Sequence, residues 1–145
     1  MVTITKQYTF EAAHILPNHK GKCARLHGHS YKVEVSLTGP VYGNRVNQPD
    51  EGMVVDFADL DVVVKPLIDM LDHKFIAKGD EWPCASAPPG HVQVIGIRTT
   101  AENLAQWFCN RVWVHFGTPD ESMVGVRVWE TVKSSAYATS TGELP

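Results

Sequence analysis

The stretch His27-Gly28-His29-Ser30-Tyr31-Lys32-Val33-Glu34-Val35-Ser36-Leu37 alternates from end to end. His27, His29, Tyr31, Val33, Val35 and Leu37 share one parity; Ser30, Lys32, Glu34 and Ser36 share the other. Successive strand side chains point to opposite faces, so this run predicts a half-buried strand, closed by Gly39-Pro40. Upstream, Ile4 to His14 carries the same signal. Ile4, Tyr8, Phe10, Ala12 and His14 lie on one face, and Thr5, Gln7, Thr9 and Glu11 on the other. Lys6 interrupts the apolar face and predicts an exposed end there. Between the two strands, Pro17-Asn18-His19-Lys20-Gly21-Lys22 is turn-rich.

Downstream, Val41 to Gly52 reads as a loop or ragged hairpin, and Met53-Val54-Val55 as a short strand. The period then changes. Leu60, Val63, Val64, Leu67, Ile68 and Leu71 form one helical face, with Asp56 placed to cap it. Pro66 costs about 3 kcal/mol in a helix interior and predicts a kink or a lost hydrogen bond. Ala77 to Gly96, with Trp82-Pro83 and Pro88-Pro89-Gly90, reads as a long irregular segment. Thr99-Thr100-Ala101-Glu102 matches a capping box and opens a second helix, with Ala101, Leu104, Ala105, Phe108 and Val112 on one face. Val124 to Thr131 and Ser135 to Thr139 are the last strands, joined by a turn at Lys133-Ser134. Paired strands with helices set between them predict an α+β fold, the helices packed on one sheet face.

Composition narrows the function. The chain has 145 residues, 43% hydrophobic and 20% charged, a length that predicts one domain over 1–145 with a sound core. No apolar run approaches the roughly 18–20 residues of a membrane helix. The start, Met1-Val2-Thr3-Ile4-Thr5-Lys6, reads as no secretory signal. A net charge of -3 and a pI of about 6.1 argue against a nucleic-acid partner, while leaving room for a small anionic ligand. Three cysteines, an odd number, point to a reducing, cytoplasmic setting in which a special thiol is reactive or metal-bound.

The seven histidines carry more information. His27 and His29, two apart on a strand, project from one face and can reach one point; His14, at the end of the neighbouring strand, can supply a third imidazole. Three imidazoles at about 2.0–2.1 Å from Zn²⁺ leave a vertex open, as in catalytic zinc sites. Gly28 between them removes a side chain from the opposite face. Spacing alone leaves Cys23 either a further ligand or a catalytic group. His19, His91 and His115 read as ordinary surface or polar-core residues. Asp72-His73 is either a proton-transferring pair or a helix end with a dipole-favoured histidine. Glu130 lies on the apolar parity of Val124, Val126 and Val128, so it needs donors: a ligand edge with adjacent N–H groups, an ion pair, or water at a strand end.

Six stretches together resemble the 6-pyruvoyl-tetrahydropterin synthase / 6-carboxytetrahydropterin synthase family: Phe10-Glu11-Ala12-Ala13-His14, Cys23 to His29, Met53-Val54-Val55-Asp56-Phe57, Leu71-Asp72-His73, Thr99-Thr100-Ala101-Glu102-Asn103 and Trp129-Glu130-Thr131. They stand in family order from about residue 4 to 138. The resemblance implies a T-fold (tunnelling fold): a four-stranded antiparallel sheet, two helices on one face, and a homohexamer whose sheets form barrels with active sites between subunits. It implies His14, His27 and His29 as zinc ligands, Cys23, Asp72 and His73 as catalytic groups, and Glu130 as the pterin anchor with Thr99 and Thr100 beside it. The gap of three residues between Cys23 and His27 resembles the bacterial 6-carboxytetrahydropterin synthases of the queuosine pathway. The implied reaction is zinc-dependent conversion of 7,8-dihydroneopterin triphosphate to 6-carboxy-5,6,7,8-tetrahydropterin, with acetaldehyde and triphosphate released. Lys20, Lys22, Arg25 and Lys74 are candidate triphosphate partners. The alternatives are 6-pyruvoyl-tetrahydropterin synthase activity, an aldolase-like cleavage of dihydroneopterin, and a non-catalytic domain built on a structural zinc. The chain departs from the family in a longer Val41–Gly52 loop and in its Pro88-Pro89-Gly90 approach to the second helix.

Overall fold

The two alternating segments pair with each other, and the rest of the fold is laid on that pair. The structure, a computed structural model, describes residues 1–41, 47–79, 88–117 and 122–140. In chain order the elements are β1 (Val2–His14), β2 (His27–Gly39), α1 (Phe57–Leu71), β3 (Lys74–Ala77), β4 (Val92–Val94), α2 (Ala101–Phe116), β5 (Met123–Thr131) and β6 (Ser134–Ser140), with a 3₁₀ turn at Lys22–Ala24. The sheet order is β4-β3-β1-β2-β5-β6.

The expected four-stranded antiparallel sheet is present as β1, β2, β5 and β6. It is extended, against expectation, by two short strands: β3 runs parallel to β1, and β4 parallel to β3. The cause is local. After α1 the chain turns at Asp72-His73, where the His73 N–H donates to the Glu11 carbonyl at 2.6 Å, and Phe75, Ile76 and Ala77 are then buried beside β1. β4 claims part of the stretch expected to be irregular; residues 80–87 of it, with Trp82-Pro83, lie outside those described.

One face of the sheet is apolar and holds both helices. Tyr8, Phe10, Tyr31, Val33, Val35, Leu37, Val124, Val126 and Val128 meet Leu60, Val64, Ile68 and Leu71 of α1 and Leu104, Phe108 and Val112 of α2. Phe10 and Tyr31, opposite one another in the β1–β2 ladder, stack at 4.7 Å. Each such side chain contributes about 1.5–3 kcal/mol on burial.

Asp56 caps α1 as expected, accepting from the Ala58 N–H at 2.8 Å. The helix runs on through Pro66. The carbonyl that Pro66 cannot pair belongs to Val62, which is 73% exposed, so water can satisfy it. Met53-Val54-Val55 is not a strand: it bends into the cap, and Val55 packs on the core without a ladder partner. Lys6 is half-buried rather than at an exposed end, because Asp61 of α1 lies 2.6 Å from its Nζ. In α2 the cap is Thr100, one residue later than the box predicted, accepting from the Asn103 N–H. Residues 42–46 of the Val41–Gly52 loop lie outside those described.

Candidate metal centre and adjoining clefts

β1 and β2 bring their histidines together by register. His14 and His27 are direct cross-strand partners, and His29 faces Ala12 on the same side. Ring centroids are 4.5 Å apart for His14 and His27, 5.2 Å for His14 and His29, and 5.0 Å for His27 and His29. One nitrogen from each ring falls within 4.8 Å of the other two.

What fixes the rings also fixes their protons. His14 Nδ1–H donates to the Thr99 carbonyl at 2.8 Å, with Thr99 Oγ1 at 3.1 Å. His27 Nδ1–H donates to the Arg25 carbonyl at 2.7 Å, and His29 is hydrogen-bonded to the Glu130 backbone. A carbonyl can only accept, so Nδ1 of His14 and of His27 carries the proton, and Nε2 presents a lone pair. Those two Nε2 atoms lie 3.0 Å apart. Facing lone pairs repel unless a cation lies between them, and two imidazole nitrogens on tetrahedral zinc stand about 3.3 Å apart. The donor set therefore fits a zinc ion. Burial holds the His14 pKa down at about 4, with the nearby His27 and His29 acting the same way against the Thr99 carbonyl. Burial and His27 also lower that of His29. Both stay neutral at pH 7, as ligands must.

Cys23 sits in the Lys22–Ala24 turn, half-buried, with its carbonyl accepting from the Leu16 N–H at 2.9 Å. Among the described residues, the group able to hold a metal comprises the three histidines without the Cys23 sulfur. The thiol is near Tyr31, whose hydroxyl pKa is raised by burial and by the negative charges of Glu130 and Cys23.

Asp72 and His73 form a pair, Nδ1 to Oδ2 at 2.9 Å. Asp72 is anchored by the Glu11 N–H at 2.8 Å, which keeps its carboxyl below the usual range, with His73 adding to the effect. His73 has φ 55° and is largely exposed. It lines a cleft of about 540 Å³ with Lys74, His91, Glu11 and His29. Among the described residues no hydrogen bond or ion pair joins Cys23 to either member. Of the cations considered, Lys74 donates to the Gly90 carbonyl and borders this cleft, while Lys20, Lys22 and Arg25 are exposed.

Glu130 lies at a bulge. Trp129 pairs with Ser135 and Thr131 with Ser134, leaving Glu130 the extra residue of β5. Bulges re-aim side chains near active sites. Glu130 lines a second cleft, about 320 Å³, with Thr100, Glu102, Arg98 and His19. Burial raises its pKa, and the Glu102 charge adds to this. Thr99, expected beside this pocket, is fully buried with both oxygens on the His14 ring. Glu102, which the capping box explains by itself, is the cleft residue that sequence reasoning misses; His19 is exposed, as expected, and borders the cleft. His115 is an exposed residue near the end of α2.

Two helices on one face of this sheet, with three histidines able to hold a metal ion where its two central strands pair, define a T-fold scaffold. A sequence model of 6-pyruvoyl tetrahydropterin synthase matches residues 3–141. The chain belongs to the 6-pyruvoyl tetrahydropterin synthase family and is an enzyme of it. It is 36% identical over 143 residues to 6-carboxy-5,6,7,8-tetrahydropterin synthase of Haemophilus influenzae, covering 92% of this chain and 96% of the relative. Its namesake from Synechocystis is 40% identical over 90 residues, covering 60% of this chain and 68% of that protein. Among solved structures, a Plasmodium vivax 6-pyruvoyltetrahydropterin synthase aligns with TM-score 0.76 at 24% identity, covering 97% of this chain and 98% of that one. That likeness concerns the fold. No helix of the described residues is long and apolar enough to cross a membrane.

Proposed function

We propose that this chain is a zinc-dependent 6-carboxy-5,6,7,8-tetrahydropterin synthase. It would convert 7,8-dihydroneopterin triphosphate and water to 6-carboxy-5,6,7,8-tetrahydropterin, acetaldehyde and triphosphate, in the cytoplasm and within queuosine biosynthesis. The observation that carries the reading is the convergence of His14, His27 and His29, each held from behind by a backbone group, with a Glu130 cleft alongside. The extended identity to the Haemophilus relative supports the 6-carboxy product over the 6-pyruvoyl one.

Zinc held by His14, His27 and His29 would supply a Lewis acid for the substrate's side-chain hydroxyls. Glu130 accepts from the 2-amino and N3 groups of the pterin ring, which fixes its orientation as well as its affinity. Cys23, as thiolate, takes a proton from the side-chain carbon beside the ring. His73, held by Asp72, handles the opposing proton transfer. Thr99 holds the His14 ring, and Thr100 borders the pterin. By family resemblance the chain would form a homo-oligomer, a hexamer, whose sites draw on two subunits.

Product identification after incubation with 7,8-dihydroneopterin triphosphate tests the reading. Acetaldehyde is expected in step with triphosphate; triphosphate release without it would assign the 6-pyruvoyl activity instead. Cys23→Ala is expected to retain bound zinc and lose turnover, and loss of the metal would make Cys23 a ligand.

A further inference from the structure

The Glu130 cleft has a second wall that no part of the reaction above uses. Leu16 and the exposed His19 line the cleft along with Glu130 and Glu102, and His19 carries the only aromatic ring among the described lining residues. Its position is built by the backbone. Asn18 takes φ 64°, and the His19 N–H donates to the Leu16 carbonyl at 3.1 Å, so the chain doubles back on itself. Gly21 then leaves room for the imidazole: a Cβ there would stand 3.1 Å from His19 Nε2. Arg98 ties the turn to the start of α2. Its guanidinium donates to the Pro17 carbonyl at 2.9 Å, while its own carbonyl accepts from Asn103 Nδ2 at 3.0 Å.

We infer that His19 is a further binding residue of this cleft, its ring lying against the face of a flat, nitrogen-rich heterocycle whose edge is held by Glu130. This rests on the pterin reading of Glu130 and deepens it. Carboxylates can grip only the edge of such a ring, because hydrogen-bond donors lie in its plane. An aromatic side chain is the partner suited to the face. Leu16 beside it supplies apolar contact, and Arg98 holds the turn so that the wall is formed before the ligand arrives.

Neopterin, followed by its own fluorescence, is the probe, titrated into the metal-loaded parent protein and its variants. His19→Ala should weaken binding about tenfold, in line with the loss of one ring-on-ring stack. His19→Phe, which keeps a ring face and removes the nitrogens, should stay within about threefold of the parent. Zinc content and melting temperature should match the parent in both. Equal affinity in His19→Ala and parent overturns the assignment, and so does equal weakening in His19→Ala and His19→Phe, since the ring face would then not be the contact. A parent that binds no neopterin removes the pterin reading and this inference with it. A parent that binds while His19→Ala binds as well removes the inference alone.

Discussion

At the scale of single residues, Thr99 decides how well the metal centre is prepared. Both of its oxygens face His14 Nδ1, and its side chain is wholly buried. Thr99→Val keeps the shape and the carbonyl but deletes Oγ1. Groups that orient metal ligands in this way are worth about 10–100-fold in affinity, and the surviving carbonyl places this variant at the lower end, near tenfold. Zinc competition against a chelating dye measures it, and an unchanged constant would leave the carbonyl as the sole orienting group. The same burial gives a pH signature in metal-free protein. His14 titrates near 4 when folded against 6.5 in the unfolded chain. Between those values the unfolded state holds a proton that the native state refuses, so stability falls as pH drops from about 6.5 to about 4 and this contribution then levels off. His29 acts in the same direction. Thermal melts across that range should show the decline, with a shallower slope in His14→Gln; identical slopes would mean that His14 is not held neutral.

At the scale of elements, two glycines with ordinary backbone angles separate crowding from conformational freedom. Gly117 caps α2 with φ -74°, so any residue could adopt its backbone, yet a Cβ there would run into the Trp113 ring. Gly125 of β5 lies under the Tyr137 hydroxyl in the same way. Trp113 is 6% exposed and cannot move aside; Tyr137 is 48% exposed and can. Gly117→Ala should therefore cost about 1–3 kcal/mol, and Gly125→Ala less than about 1 kcal/mol, in urea unfolding. The reverse order would mean that the Trp113 ring is the more mobile of the two. Elements also show where sequence reading works. Pleat parity alone aligned His14, His27 and His29, because strands of 13 residues carry many repeats of their period. β3 and β4, of 4 and 3 residues, carry too few to be heard, and they form because β1 offers an edge, which is a tertiary cause. The bulge at Glu130 was equally silent, since it exists only in the pairing with β6. The roles of Thr99 and Glu102 were hidden behind a capping signal strong enough to explain both residues by itself.

At the scale of the whole molecule, the proposal that catalysis belongs to the assembly can be tested by mixing subunits. If the proton-transferring groups come from different subunits, Cys23→Ala and His73→Ala homo-oligomers should each be inactive, while mixed oligomers formed after dissociation and reassociation should regain activity. No recovery, with mixing confirmed by mass, would place all three groups in one subunit. Chelation of the metal should lower the melting temperature, since a ligand bound only by the folded state stabilises it by mass action. His14, His27 and His29 join β1 and β2, the two central strands, so that loss should reach the whole sheet rather than one edge of it.

The backbone of Glu130 holds His29 while its side chain lines the cleft, so a single residue serves the candidate metal centre and the cleft together. Evolution, or an engineer, is thereby denied separate control of the two: shifting the β5–β6 hairpin by one position to reshape the pocket would also swing an imidazole. New specificity should be sought by varying loop length at the β4 margin or in the turn around His19, where the chain can be rewritten without disturbing the three histidines.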